Sequence, residues 1–499
     1  MFTDEHKREV WDEIRQHDLR VFKRWLTPDL FTKAAEIAQI SLGNGPLYAV
    51  NLVWLGLASA LHKGKDFASV LSLVMKLLSD APDFEQTDLG KLRRQASRRG
   101  KEERERSKHD PHGGDPTKVS EEAFTKARRL MSLEYWLALL LLLTERFEGE
   151  HGKLVRFKEF RLLAMDGTSI SMANWTRLKT YFGTARAKGK GKGNRRTVQG
   201  RMVMLQMPLV RLPYRYELAP LSVGETTLAM RLVQHVRRND LVLIDRGFFS
   251  YALFCEIAQR NAYFGIRLKS GLNFKTIDRL GKNDRLVEWT PCKPIMSKWR
   301  KQGLTLPSSM KLRVIDYQIP GFRKSAVVTN VLDPQKISRD DWVRIIREKE
   351  PARNLQPGLY HRRWEIETTF KEMKVAMKMK EGLRSRTPEG IQYEIAGHVL
   401  LYLLVRWTIV EAAQEHGQSP LALSFTDALE EILDMAQTLL TATPQRIRTV
   451  LLPRLLGRIA SHIVPLRPGR HFPRPNDTKP KNKGYGRIQQ PAKLTRKQG

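Results

Sequence analysis

The chain has 499 residues, 41% of them hydrophobic, which is enough to bury more than one core and excludes wholesale disorder. A formal net charge of +34 makes a polyanion, DNA or RNA, the expected partner, with an anionic membrane surface as the plainer alternative. The longest apolar run, residues 135–143, falls well short of the roughly 20 residues that cross a bilayer, so no membrane partner is expected.

Residues 1–96 read as a small helical domain that supplies DNA-end recognition. Val10, Trp11 and Ile14, then Leu19, Phe22 and Leu26, carry helical spacing, and apolar stretches follow at 49–61 and 67–78. Residues 97–119 are dense in charge, Gly and Pro and form a linker, in which His109 and His112 read as solvated rather than metal-binding. Ser120 and the acids behind it predict a helix start, with the helix running to about Phe147.

Short apolar runs of strand length come next: 161–165 ending at Asp166, then 202–210, 214–221, and 241–244 ending at Asp245. Helical spacing over 224–237 precedes the last of these. Strands, a helix and a further strand predict an α/β fold with a mixed sheet, its core formed by 120–260 and 347–415. Residues 261–346 alternate in short segments broken by Gly and Pro and predict a β-rich insertion. A helix from about Tyr360, an apolar helix over 391–412 and C-terminal helices over 416–464 follow. The tail, 465–499, is basic and rich in Pro and Gly, and is expected to order only on a polyanion. The N-terminus shows no signal-peptide pattern, and Cys255 and Cys292 are the sole cysteines, which fits a reducing cytoplasm.

The chemistry concentrates in three places. Asp166 and Asp245 each close an apolar run and are followed closely by Gly, in Asp-Gly-Thr and Asp-Arg-Gly-Phe. If the two strands are neighbours, the acids converge. On one α-helix, Tyr360, Arg363, Glu367 and Lys374 would share an arc of roughly 60°, with Ile366, Phe370, Met373 and Met377 as the buried stripe. Three hard oxygen donors suit Mg²⁺ or Mn²⁺, and two such ions promote phosphodiester chemistry. The plainer readings are a turn for each Asp-Gly and a surface pair between Glu367 and Lys371. The basic run of Lys188, Lys190, Lys192, Arg195 and Arg196 lacks the Gly-Lys-Ser/Thr ending of a nucleotide loop, so no nucleotide cofactor is expected. It reads as a loop that tracks DNA phosphates or is simply solvated.

These motifs resemble the bacterial DDE transposases of the insertion-sequence-four family, whose helix reads Tyr-x2-Arg-x3-Glu-x6-Lys. Tyr360, Arg363, Glu367 and Lys374 stand at those spacings, and Leu383-Arg-Ser-Arg-Thr-Pro-Glu-Gly390 follows as is usual in the family. The resemblance covers roughly 120–415. It implies an RNase H-like core with Asp166, Asp245 and Glu367 as a catalytic triad binding two Mg²⁺ or Mn²⁺ ions. It also implies that Tyr360, Arg363 and Lys374 touch transposon-end phosphates. The expected activity is cut-and-paste transposition on double-stranded DNA, at terminal inverted repeats and a target, by a homodimer. Some relatives stack a flipped base on a Trp of the insertion, for which Trp289 and Trp299 are the candidates. The rivals are a nuclease that cuts without joining and a DNA-binding derivative that no longer cuts.

Overall fold

The protein is seen in a computed structural model that describes residues 20–41, 49–61, 132–186, 196–344 (apart from 270, 273, 302, 304 and 319–323), 358–379 and 383–464 (apart from 441). The expectations for the linker, the Ser120 helix start, Lys188, Lys190, Lys192, Arg195 and the basic tail lie outside these residues.

A two-residue strand β1 (Arg156–Phe157) turns back into β2 (Phe160–Met172), whose first six residues are all buried. Strands β3 (Thr184–Arg186), β4 (Arg196–Met207) and β5 (Leu212–Pro220) follow, with β3 and β5 both pairing β4. β4 runs antiparallel to β2, while β6 (Asp240–Ile244) runs parallel to β2 and β7 (Tyr263–Arg267) parallel to β6. Both β2 and β6 lie inside the sheet with covered faces, which is why they read as unbroken apolar runs rather than alternating ones. The order β5-β4-β2-β6-β7, three antiparallel strands and then two parallel ones, is the RNase H-like arrangement.

β8 (Lys275–Gly281), β9 (Asp284–Trp289), β10 (Met310–Tyr317) and β11 (Ser325–Thr329) do not form a separate body. They extend the same sheet outward from β7 in the order β11-β10-β9-β8. Gly265 on β7 makes room for the far face: a Cβ there would sit 2.4 Å from the Trp342 ring. That face is a smaller core of Phe160, Leu162, Leu241, Leu243, Trp342 and Leu359.

The other face carries most of the helices. α1 (Pro28–Ala38) packs on α3 (Leu133–His151), and α2 (Ala49–Leu61) on the long C-terminal helix Pro388–Glu415. Gly397 of that helix permits the crossing, since a Cβ would stand 2.9 Å from the carbonyl oxygen of Gly56. Trp25 stacks on Trp407 with centroids 4.6 Å apart. The described N-terminal helices are thus part of the same core as the sheet. Ser132 caps α3 by accepting the Tyr135 N–H at 3.3 Å.

The remaining helices used below are α4 (Thr176–Phe182), α5 (Glu225–Val233), α6 (Glu365–Lys371) and α7 (Pro388–Glu415). By length and composition α7 is apolar enough to cross a membrane, yet 94% of its apolar window is buried inside the protein.

Candidate active site

Register alone brings the two aspartates together. β2 and β6 pair from Arg161 opposite Asp240 to Met165 opposite Ile244, so the next residues, Asp166 and Asp245, leave the paired strands side by side. Strands in such a pair lie about 4.8 Å apart. The sequence places Asp166 at the end of its strand, but β2 continues to Met172, because Gly167 to Met172 pair with β4 even after β6 has ended. Asp166 accepts the Gly167 N–H through Oδ1 at 2.7 Å, and Asp245 accepts the Gly247 N–H through Oδ2 at 2.9 Å in the short 3₁₀ turn that follows β6.

The third acid arrives on a segment that is wound differently from the single helix expected. Leu359–Trp364 is 3₁₀, α6 is α-helical, and Glu372–Ala376 is a π turn. The apolar stripe is where the sequence puts it, since Ile366, Phe370, Met373 and Met377 are all buried. The polar residues do not share one outward arc. Tyr360 turns inward, its hydroxyl donating to the Ile244 carbonyl at 3.3 Å and accepting the Arg267 N–H at 3.1 Å. Burial pushes its ionisation up to about 12. It clamps the backbone just before Asp245 instead of facing solvent.

Arg363 is the hub. Its Nη1 donates to Asp166 Oδ2 at 2.9 Å and lies 3.6 Å from Asp245 Oδ1, while Nη2 donates to Glu367 Oε1 at 2.7 Å. Glu367 therefore pairs with Arg363, not with Lys371. Lys374 reaches back to the Thr168 hydroxyl on β2. Arg196 is exposed at the start of β4. Asp166 is raised from its ordinary value to about 6, chiefly by burial and further by Asp245 and Glu367, against the opposing pull of Arg363 and the Gly167 N–H.

Three carboxylates around one cation match the hard-donor chemistry of a divalent ion. Among the described residues no three His, Cys, Asp or Glu side chains close on a metal-sized gap, because the guanidinium spaces them. The donor set fits a divalent ion once Arg363 gives way.

Sequence reading missed the support behind α6. Glu372 lies between Arg406 and Tyr402 of α7, the Tyr402 hydroxyl donating to Glu372 Oε2 at 2.6 Å, and Arg211 donates to Glu365 Oε2 at 2.7 Å and to Glu372 Oε1 at 3.2 Å. The available signal was Arg406 itself, a lone cation in the middle of an apolar helix. Trp289 falls out as a base-stacking candidate, because it is 3% exposed and packed among Phe249, Tyr251, Phe254 and Phe274. Trp299 is half-buried.

Asp166 within β2, Asp245 just after β6 and Glu367 on α6 thus converge on Arg363, the arrangement of acids that a DDE-type phosphodiester site requires. Residues 158–404 match the family model described as the transposase DDE domain. Over 259 residues the chain is 29% identical to transposase InsG for insertion sequence element IS4 of Escherichia coli (strain K12). That alignment covers 50% of this chain and 53% of the relative, so the chain spans about half the length of the curated protein it matches. By both matches the chain is similar to DDE transposases of the insertion-sequence-four type. A piggyBac transposase synaptic complex with hairpin DNA aligns at a TM-score of 0.36 and 12% identity, over 91% of this chain and 87% of that one. So loose a superposition supports nothing further.

Proposed function

We propose that the protein is a cut-and-paste DNA transposase, in which Asp166, Asp245 and Glu367 hold two Mg²⁺ or Mn²⁺ ions and a homodimer brings two transposon ends together in the bacterial cytoplasm. Two such ions, held by the three carboxylates, would supply activation of a water or 3′-hydroxyl nucleophile and charge stabilisation for the leaving oxygen. The chain's own groups set the stage for that chemistry. The β2–β6 register fixes the spacing of Asp166 and Asp245, and Tyr360 holds the Ile244 carbonyl so that the Asp245 turn keeps its place. Arg363 neutralises the acids in the resting protein and is near enough to turn its guanidinium to the scissile phosphate. Lys374 contacts a phosphate of the bound end, with Arg196 and the preceding lysines on the flanking backbone. No nucleotide cofactor is needed, since each transesterification roughly conserves bond energy.

The observation that carries this reading is the meeting of Asp166, Asp245 and Glu367 on the Arg363 guanidinium. Purified protein is incubated with Mg²⁺, linear fragments bearing the element's end, and a plasmid target. Cut ends joined to the plasmid are expected. Cutting without joined products would favour a nuclease, and DNA retention without cutting a non-catalytic derivative.

A further inference from the structure

The helix that follows β2 exposes two aromatic rings. Trp175, just before α4, is 41% exposed and Tyr181, near its end, is 45% exposed. Leu178 and Phe182 bury one face of α4, which leaves the i,i+4 pairs Thr176/Thr180 and Arg177/Tyr181 on the outer side. An open groove of about 590 Å³ lies there, with Arg177, Thr180 and Tyr181 on one wall and Thr387, Pro388 and Glu389, at the start of α7, on the other.

The opposite wall is built to hold a cation in place. Arg386 lies over the Trp175 ring, its guanidinium carbon 4.3 Å from the centroid. The turn that presents it is fixed by Glu394, a buried carboxylate that accepts the N–H groups of Arg384 and Ser385 at 2.8 and 3.0 Å. Thr387 then caps α7 by accepting the Gly390 N–H at 3.2 Å. Around the groove Arg177, Lys179 and Arg386 are exposed cations, and Glu389 is the acid among its lining residues.

Cations draw a phosphate backbone, but a duplex hides its base faces in the stack and gains nothing from an exposed ring. An unpaired nucleotide offers a π-face, and stacking on an aromatic side chain is tolerant of sequence. The volume also suits a ligand of nucleotide size. We infer that this groove is a binding site for an unpaired DNA segment, whose bases stack on Tyr181 in the groove and on Trp175 beside it, while its phosphates lie on Arg177 and on Lys179 and Arg386 next to the groove. The inference rests on the transposase reading for the choice of DNA. Six residues of extended strand, roughly 20 Å, lead from Asp166 to Met172, where β2 ends shortly before α4.

The test uses the full chain in chelator at about 0.2 M salt, with a 20-nucleotide oligothymidylate and a blunt duplex of equal length, read by fluorescence anisotropy. Tyr181→Ala and Trp175→Ala should each weaken oligothymidylate binding by roughly 5- to 100-fold, and duplex binding by about twofold at most. Trp175→Phe should recover most of the loss. Photocrosslinking of a 5-iodouracil oligonucleotide should place adducts on Tyr181 or Trp175. Equal losses on both nucleic acids, no loss on either, or adducts confined to the basic tail would overturn the site. End cleavage with Mg²⁺ is run in parallel to separate the two readings. Cleavage by the wild type with unaltered oligonucleotide binding in the variants sinks the groove alone. Lost oligonucleotide binding in the variants, beside a wild type that never cuts, sinks the transposase reading alone.

Discussion

At the amino-terminal ends of β2 and β6, Arg161 grips Asp240 with Nε and Nη2, both at 2.7 Å, and turns Nη1 to Glu148. Asp240 also accepts the Arg237 N–H at 2.7 Å, and the Tyr214 ring lies 4.7 Å from the Arg161 guanidinium. Five residues on, where β6 ends and β2 continues against β4, Asp166 and Asp245 share a single nitrogen of Arg363 with a third acid close by. The first cluster is closed: the Arg161 and Asp240 side chains are 4% and 2% exposed. The second is open on one side, with the Glu367 side chain 51% exposed, and Arg363 Nε is buried without a partner among the described residues. One strand pair thus uses the same chemistry twice. The closed end pins the register, and the open end has three carboxylates for one guanidinium and retains appetite for positive charge.

The largest effect should come from the open end and leave the fold intact. Asp166→Ala, Asp245→Ala or Glu367→Ala should each reduce end cleavage below detection, with DNA retention in a filter assay nearly unchanged. Retained cutting in any one of them would break the triad assignment.

The closed end should respond in the opposite sense. Asp240→Ala leaves the buried Arg161 guanidinium with Glu148 alone, and removal of one partner from a buried ion pair costs about 3–5 kcal/mol. The urea midpoint should fall accordingly, whereas any loss of cleavage should track only the unfolded fraction. A variant within about 1 kcal/mol of wild type would show that this end is not the clamp described.

A subtler contrast lies in pH. The folded protein raises Asp166 from 3.8 to about 6, so the native state holds that proton more tightly than the unfolded chain does. The resulting stability is fully present below about pH 4 and is lost as pH rises through about 6. A shift of this size corresponds to roughly 3 kcal/mol at most, at 1.4 kcal/mol per pH unit. Asp166→Asn has no charge to bury. In chelator, its urea midpoint should therefore gain on wild type between about pH 4 and pH 6 and then run parallel. A gap that ignores pH would mean Arg363 already compensates the buried charge.

Much of the open end was legible in the sequence, because each aspartate follows an apolar run whose burial fixes a strand end. What escaped was set by distant partners. Thr168, Ser169 and Ser171 look like turn residues, yet they are strand because β4 supplies their pairing. The Tyr360–Lys374 segment carries an α-helical pattern, but Tyr360 is drawn into the sheet and Glu372 is tied to Arg406, so its winding tightens at one end and widens at the other. The strands of 261–346 have ordinary local signals, and nothing local says that β11 will pair with β7 and extend the core sheet. Likewise Trp25 meets Trp407 across nearly the whole chain, a contact no window of sequence contains.

The smallest predicted effect tests the widened end of that segment. π turns often sit at functional sites, since the extra residue re-aims a side chain. Here the turn directs Lys374 toward the Thr168 hydroxyl, two residues past Asp166 on β2. In the proposed function its charge serves a phosphate of the bound end. Lys374→Ala should weaken end binding and lower the slope of log affinity against log salt by about 0.9, one phosphate's worth, so that its deficit against wild type shrinks about threefold between 50 and 200 mM salt. Glu372→Gln, which leaves Lys374 in place but loosens the tie to Arg406, should weaken end binding without changing the slope. An unchanged slope in Lys374→Ala would return this lysine to a purely structural role against Thr168.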